Sequence, residues 1–211
     1  MPFDVKHRLG WGGARNRGDR VTHVLALDKA RAIITAAYAA LGAGQPFTRF
    51  VTIHWTNAGI ADDQAAHANE RLMKLASDWA RRKGARIYWA WVRENDAGDG
   101  SKGSHVHLLI ACPRALPIGR MWRRWLRNIT GQPYQPGTIA TRTIGGNLGV
   151  ADANRARYVP NLDRVIAYMV KGVTPADGAA LGLLRTEPGG TVIGKRSAVC
   201  QALRVGRPSA R

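Results

Sequence analysis

Two apolar runs around a polar turn constrain this chain more than any other feature. Ile87-Tyr-Trp-Ala-Trp-Val-Arg-Glu94 and Ser104-His-Val-His-Leu-Leu-Ile-Ala-Cys112 are rich in β-branched and aromatic residues. Between them lies Asn95-Asp-Ala-Gly-Asp-Gly-Ser-Lys-Gly103, in which almost every residue favours a turn. Runs of this kind about such a turn predict two hairpin strands. Pro113 ends the second, because proline has no amide hydrogen to give to a ladder. The chain must therefore build an antiparallel sheet, and the remaining segments must cover it.

Those segments fall into a recognisable order. Asp28 is placed to cap a helix over roughly residues 29–42, which Gly42 and Gly44 end. Phe47-Thr-Arg-Phe-Val-Thr-Ile-His-Trp55 reads as a strand. From Ala61 to Lys83, Leu72, Leu75, Ala76 and Trp79 recur at helical spacing, and Gly84 closes the helix. After the hairpin come a helix from Ile118 to Ile129, a strand at Thr138–Thr143, and a helix from Leu162 to about Gly172 with Asn161 as its cap. From the strand at Phe47 the core order is β-α-β-β-α-β, with a further helix. This predicts an α+β fold of the ferredoxin-like split βαβ kind: an antiparallel sheet with helices on one face and the other face free for a site. Residues 1–28 read as a basic arm with a short strand near Val21–Leu25, and residues 29–175 as the domain. Residues 176–211 form a basic, Gly- and Pro-rich segment, loosely held from Gly194 onward.

Charge narrows the choice of partner. Lys and Arg number 32 against 14 Asp and Glu, a net +18. Such a field attracts polyanions, nucleic acid above all. An arginine-biased genome could also produce it. An anionic membrane surface is the other polyanion, but no long basic amphipathic helix is present to lie on one. Two cysteines without a CxxC exclude a disulfide framework and a cysteine-rich zinc module. The N-terminus lacks the apolar stretch of a secretory signal, and no run approaches the roughly 20 residues that span a bilayer. The expectation is a soluble, reduced, cytoplasmic protein.

Two short motifs carry chemistry. In a strand, residues two apart face the same way, so His105 and His107 emerge together while Val106 turns to the other face. Two imidazoles on one strand make a fixed pair of nitrogen ligands for a divalent cation. If the hairpin pairs Glu94 with about His105, a carboxylate joins them, a set suited to Mg²⁺ or Mn²⁺ on a phosphate substrate. The alternative is two half-exposed histidines on an edge strand. In Tyr168-Met-Val-Lys171 a phenol and an ammonium share a helix face and can meet one phosphate. Tyrosine is a weak nucleophile at its ordinary pKa of about 10, and a neighbouring cation could stabilise the charge that develops. An amphipathic helix with a half-buried tyrosine and a solvated lysine gives the same pattern.

In combination and order, these motifs resemble those of the HUH endonuclease superfamily, specifically single-tyrosine rolling-circle replication initiator (Rep) proteins. The three shared motifs are the apolar strand Phe50–Trp55, the His-hydrophobe-His strand His105–His107 and the Tyr-x-x-Lys pair Tyr168–Lys171, within a span of roughly residues 47–173. The resemblance implies that His105, His107 and an acidic residue, Glu94 by analogy, hold Mg²⁺ or Mn²⁺. Tyr168 is then the nucleophile that leaves a 5′-phosphotyrosine link and a free 3′-OH, and Lys171 its helper. The turn before His105 is longer than the family leads one to expect, so Asp96 or Asp99 could replace Glu94, and His54 could reach the site. The implied partner is single-stranded DNA at an origin or hairpin, with a separate helicase to unwind it. A single-tyrosine transposase or relaxase would share this chemistry. A DNA-binding regulator or an RNA-binding protein would share only the fold.

Other features are compatible with these readings without deciding between them. Gly189-Gly-Thr-Val-Ile-Gly194-Lys195 imitates the start of a phosphate-binding loop, but Arg196 stands where Ser or Thr should hold Mg²⁺, so it reads as a turn. Trp122 and Trp125 share a helix face among Arg123, Arg124 and Arg127. They are either base-stacking platforms or core. Trp89 and Trp91 fall on the strand face opposite Glu94 and should be core. Arg155, Arg157 and Arg164 precede Tyr168 and could grip phosphates.

Overall fold

The computed structural model describes residues 19–96, 102–113, 115–145 and 155–203. Most of the predicted basic arm, Asp99 in the hairpin turn and the last eight residues lie outside the described residues. The elements in chain order are β1 (Val21–Thr22), α1 (Leu27–Gly42), β2 (Arg49–His54), α2 (Asp62–Arg82), β3 (Tyr88–Asp96), β4 (Gly103–Ala111), α3 (Trp122–Thr130), β5 (Ile139–Thr143), α4 (Arg155–Val170), α5 (Pro175–Ala180), β6 (Val192–Ile193) and β7 (Ser197–Val199).

The protein is α+β. Its main sheet has five antiparallel strands in the order β5-β2-β4-β3-β7. The first four are the split βαβ arrangement expected from the sequence. The hairpin register pairs Glu94 with His105 and Val92 with His107. Strand alternation then divides the sheet. Trp91, Val106, Leu108 and Ile110 face α2 and α3, together with Val51 and Ile53 of β2. Ala90, Val92, Leu109 and Ala111 face α1 and α4.

That second layer corrects the expectation of helices on one face only. The split βαβ helices α2 and α3 do share a face, but α1 and α4 cover much of the other. The reason is apolar surface. Alanines 30, 36, 37 and 40 of α1 let the helix lie close on the sheet beside Ile33, and α4 presents Leu162, Ile166, Met169 and Val170. Neither stripe could remain solvated. Glu94 and His105, toward the ends of β3 and β4, lie on this same face beyond the helices, whereas Ala140 and Arg142 of β5 leave it exposed at the edge.

Three boundaries differ from expectation. Helix α1 begins at Leu27 with Ala26 at the cap position, so Asp28 sits in the first turn, where a carboxylate favours the helix dipole. Helix α4 begins before Asn161 and runs through Pro160. It ends at Val170, so Lys171 lies in the turn that follows. Tyr158 anchors α4 by donating its hydroxyl to the Phe47 carbonyl, 2.7 Å.

The described part of the C-terminal segment is folded, contrary to the loose attachment expected. Strand β7 extends the sheet beside β3, and β6 pairs with β1. Behind this join lies Arg93, a fully buried guanidinium. It pairs with the Asp62 carboxylate and donates to the carbonyls of Asp62 (2.6 Å), Ile193 (2.9 Å) and Lys195 (3.2 Å). Asp62 also accepts from Ser104 Oγ (2.7 Å) and the Ile193 amide (2.6 Å). One ion pair thus ties the start of α2, the hairpin and β6 together. Among the described residues, no helix is long and apolar enough to cross a membrane.

Candidate functional site

Glu94, His105 and His107 form one buried cluster in which a ligand atom from each lies within 4.8 Å of the others. The hairpin register creates it: Glu94 lies directly across from His105, and the two-residue strand repeat brings His107 to the same face. Glu94 Oε2 is 3.4 Å from His105 Nε2 and 3.6 Å from His107 Nε2. The far ring nitrogens are engaged elsewhere. His105 Nδ1 donates to the Gly103 carbonyl (2.8 Å), and His107 Nδ1 meets Thr52 Oγ1 (3.0 Å). Partners of this kind fix an imidazole's orientation and turn its Nε2 toward a ligand position.

Two atoms of the cluster have no hydrogen-bond partner: Glu94 Oε1 and His107 Nε2. Buried polar atoms are ordinarily satisfied, so a carboxylate oxygen and an imidazole nitrogen left without partners in one cluster are lone-pair donors held ready for a ligand. Two imidazole nitrogens and a carboxylate are a sound donor set for a divalent cation, so the residues fit a metal. Burial lowers the pKa of His107, only partly opposed by Glu94, which keeps its Nε2 a lone-pair donor near neutral pH. Burial alone would raise the pKa of Glu94. The adjacent imidazoles of His105 and His107, with the Lys171 ammonium, reverse this and hold the carboxyl far below its usual range.

Tyr168 and Lys171 reach the same cluster from α4 and the turn after it. The Tyr168 ring packs edge-on against His107 with centroids 4.9 Å apart, and against Phe50 at 5.9 Å. Lys171 Nζ lies 4.6 Å from the centre of the Tyr168 ring and 3.4 Å from Glu94 Oε2. Tyr168 remains 40% exposed, whereas Glu94 is 3% exposed, so the phenol stands at the rim of a recessed cluster. Burial raises the tyrosine pKa, Lys171 opposes it, and Glu94, Glu187 and Asp96 add to it. Lys171 is pushed down by burial, but Glu94, Tyr168 and Glu187 outweigh this and leave it an ammonium.

The five sequence-predicted site residues, Glu94, His105, His107, Tyr168 and Lys171, therefore converge. Asp96 follows Glu94 on the same face and is outside the cluster of ligand atoms, though close enough to act on Tyr168. His54 pairs with His105 in the sheet, and their rings lie 5.4 Å apart, but it too is outside that cluster. Trp122 and Trp125 are core, packed edge-on at 5.3 Å, and stack on nothing from solvent. Arg155, Arg157 and Arg164 are exposed, and spacing puts Arg157 and Arg164 on the Tyr168 side of α4.

Sequence reasoning missed the wall supplied by the C-terminal segment. Glu187 lies 3.4 Å from Lys171 Nζ, and its amide donates to the Lys171 carbonyl at 2.9 Å. Gly189 and Gly190 then cross the end of β3. A Cβ on Gly189 would stand 3.1 Å from Glu94 Cγ, and one on Gly190 only 1.8 Å from the Asn95 carbonyl oxygen. The glycine pair that imitates a phosphate-binding loop is thus a close crossing over the site. Lys195 pairs instead with Glu70 at 2.7 Å. The paired glycines were the available signal for close approach; nothing in the sequence said to which strand. No family model, curated protein or solved structure matches the chain.

Proposed function

We propose that this protein is a metal-dependent nicking and joining enzyme for single-stranded DNA, of the HUH endonuclease type, acting as a rolling-circle replication initiator. One observation carries the reading. A half-exposed tyrosine stands against His107 of a buried His-His-Glu cluster, with a lysine beneath its ring. The net charge of +18 and the exposed arginines along α4 support a polyanionic substrate.

His105, His107 and Glu94 would hold Mg²⁺ or Mn²⁺, which when bound supplies Lewis-acid polarisation of the scissile phosphate. The chain's own residues do the rest. Phe50 and His107 hold the Tyr168 ring in place. Tyr168 Oη forms the new bond to phosphorus as the bond to the 3′ oxygen breaks. The phenol gives up a proton, and the departing 3′ oxygen takes one, leaving a 5′-phosphotyrosine and a free 3′-OH. Lys171, held as an ammonium, stabilises the negative charge on the phenol oxygen and the phosphate as they meet. Reversal with another 3′-OH rejoins the strand.

The test is a denaturing gel of the protein mixed with labelled single-stranded oligonucleotides from the element that encodes it, with Mn²⁺ or with EDTA. A covalent adduct that needs Mn²⁺ and is absent from Tyr168→Phe is the expected result. DNA binding without any adduct would overturn the enzymatic reading in favour of a regulator. An adduct that survives the substitution would move the nucleophile elsewhere.

A further inference from the structure

A second site lies on the opposite face of the sheet. A cavity of about 580 Å³ opens between the free edge strand β5, the start of β2 and α3. Its floor includes Arg49, Thr141 and Thr143, and its wall includes Arg123 and Tyr134. These strand positions share the face of Val51 and Ile53, away from His105 and His107. Along β2, Arg49 and His54 are five residues apart, about 16 Å at the usual rise. The cavity is therefore separate from the metal cluster.

Its chemistry is specific. Arg49 Nη1 donates to Thr143 Oγ1 at 2.7 Å, which holds one guanidinium along the sheet edge. The Arg123 guanidinium carbon stands 4.9 Å from the centre of the Tyr134 ring. Two cations are thus set in place by a hydroxyl and an aromatic face. Among the described residues no carboxylate lines the cavity and neither arginine has an acidic partner. Like charges gathered without a counterion favour an anion, and guanidinium groups match phosphate oxygens in pairs. The remaining wall is apolar, from Leu116, Ile118 and Ile139, so a bare ion would leave it unfilled. A volume of this size suits a small molecule that bears both a charge and a flat ring.

We propose that this cavity binds a nucleotide, with its phosphate between Arg49 and Arg123 and its base along Tyr134 and the apolar wall. The nucleotide is either free or one unit of a single strand that also crosses the protein. The site stands on its own residues and does not depend on the metal cluster.

Calorimetric titration of the full chain with dAMP, dTMP and inorganic phosphate tests this, followed by competition between dAMP and an oligonucleotide. Both nucleotides should bind more tightly than phosphate, by about fivefold or more if the base stacks. Arg49→Ala and Arg123→Ala should each weaken nucleotide binding by about tenfold, the usual loss for a charge-assisted hydrogen bond. Tyr134→Leu should erase the advantage of dAMP over phosphate. Arg127→Ala, an exposed arginine of α3 outside the cavity lining, should change nothing. If the oligonucleotide displaces dAMP and loses affinity in the arginine variants, the site takes a unit of the strand. If dAMP binds and the oligonucleotide does not displace it, the ligand is a free nucleotide. The proposal is overturned if no nucleotide binds at millimolar concentration, or if Arg127→Ala weakens binding as much as Arg49→Ala does. Because Arg49, Arg123 and Arg127 are all exposed, loss of fold does not confuse the comparison.

Discussion

Asp62→Asn removes the one carboxylate that, among the described residues, pairs with the buried Arg93 guanidinium, while keeping the size of the side chain. The guanidinium has no access to water, and its remaining partners are neutral: the carbonyls of Asp62, Ile193 and Lys195, and Ser104 Oγ at 3.5 Å. Breaking a buried pair in this way costs about 3–5 kcal/mol. Asp62→Ala also strips the acceptor from Ser104 Oγ and the Ile193 amide, adding about 1–3 kcal/mol for each donor left unsatisfied. A domain has about 5–15 kcal/mol of stability in total, so the alanine variant should sit near the folding threshold. Urea unfolding with circular dichroism as the readout measures both. The double variant Arg93→Met, Asp62→Leu, which removes the charges together, should be more stable than Asp62→Ala. A loss below about 1 kcal/mol for Asp62→Asn, or strict additivity in the double variant, would refute the idea that this pair fastens β6 to the hairpin.

Gly190→Ala meets a left-handed φ of +66° and the Asn95 carbonyl at 1.8 Å. Backbone strain of about 1–2 kcal/mol and overpacking of about 1–3 kcal/mol should lower the urea midpoint, together with Mn²⁺ affinity, because Asn95 adjoins Glu94. Lys171 shares Glu94 with any metal, so Lys171→Met should tighten Mn²⁺ binding and Glu187→Gln, which leaves the lysine only Glu94, should weaken it. Calorimetry reads both shifts, and the opposite order would refute the sharing. Asn69 is fully buried with neither amide atom hydrogen-bonded, so Asn69→Leu should raise stability by about 1 kcal/mol in urea unfolding. Burial pushes the Cys112 thiol up to about 11. The unfolded chain, with a thiol near 8.5, loses its proton first, so this group's contribution to stability falls as pH rises from about 8.5 to 11. Peptide-resolved alkylation of the native protein should keep accelerating with pH across that window, and a plateau near pH 9 would contradict it.

The sequence revealed most of the site because its chemistry is written in strand alternation. His105 and His107 share a face because residues 104–112 form a strand, whereas the long turn at 95–103 left Glu94, Asp96 and Asp99 open as the acidic partner, and the hairpin register brings Glu94 to His105. The same alternation placed Trp91 in the core. The second helical layer was harder to see. The predicted helices α1 and α4 were assigned correctly as helices, yet period alone does not say which side of a sheet a helix covers. Three-residue β7 and two-residue β6 are too short to show any period, so the C-terminal wall was invisible as structure. One signal there was passed over. Thr174-Pro-Ala-Asp177 is a capped helix start, and Thr174 Oγ1 does accept from the Asp177 amide at 3.1 Å. Glu187 carried no signal at all, because only the fold brings it to Lys171.

The placement of the tyrosine argues about the substrate as well as the reaction. A nucleophile for a small molecule is best enclosed with it, since exclusion of water strengthens every interaction in the site. Here the ligand atoms are enclosed and the phenol is at the rim. On the proposed reading, a phosphate that meets both would enter from the exposed side of α4 with its two ester arms in solvent, as an internal link of a chain does. Arg164 and Arg157 lie on that side, about one and three turns from Tyr168, and so line one face of the helix. On the proposed reading, their loss should weaken DNA binding in a salt-dependent way and leave Mn²⁺ affinity alone, because neither touches the cluster. On the same proposed reading, the recessed cluster would set where the phosphate stops, and the raised tyrosine would require that phosphate to be part of a strand.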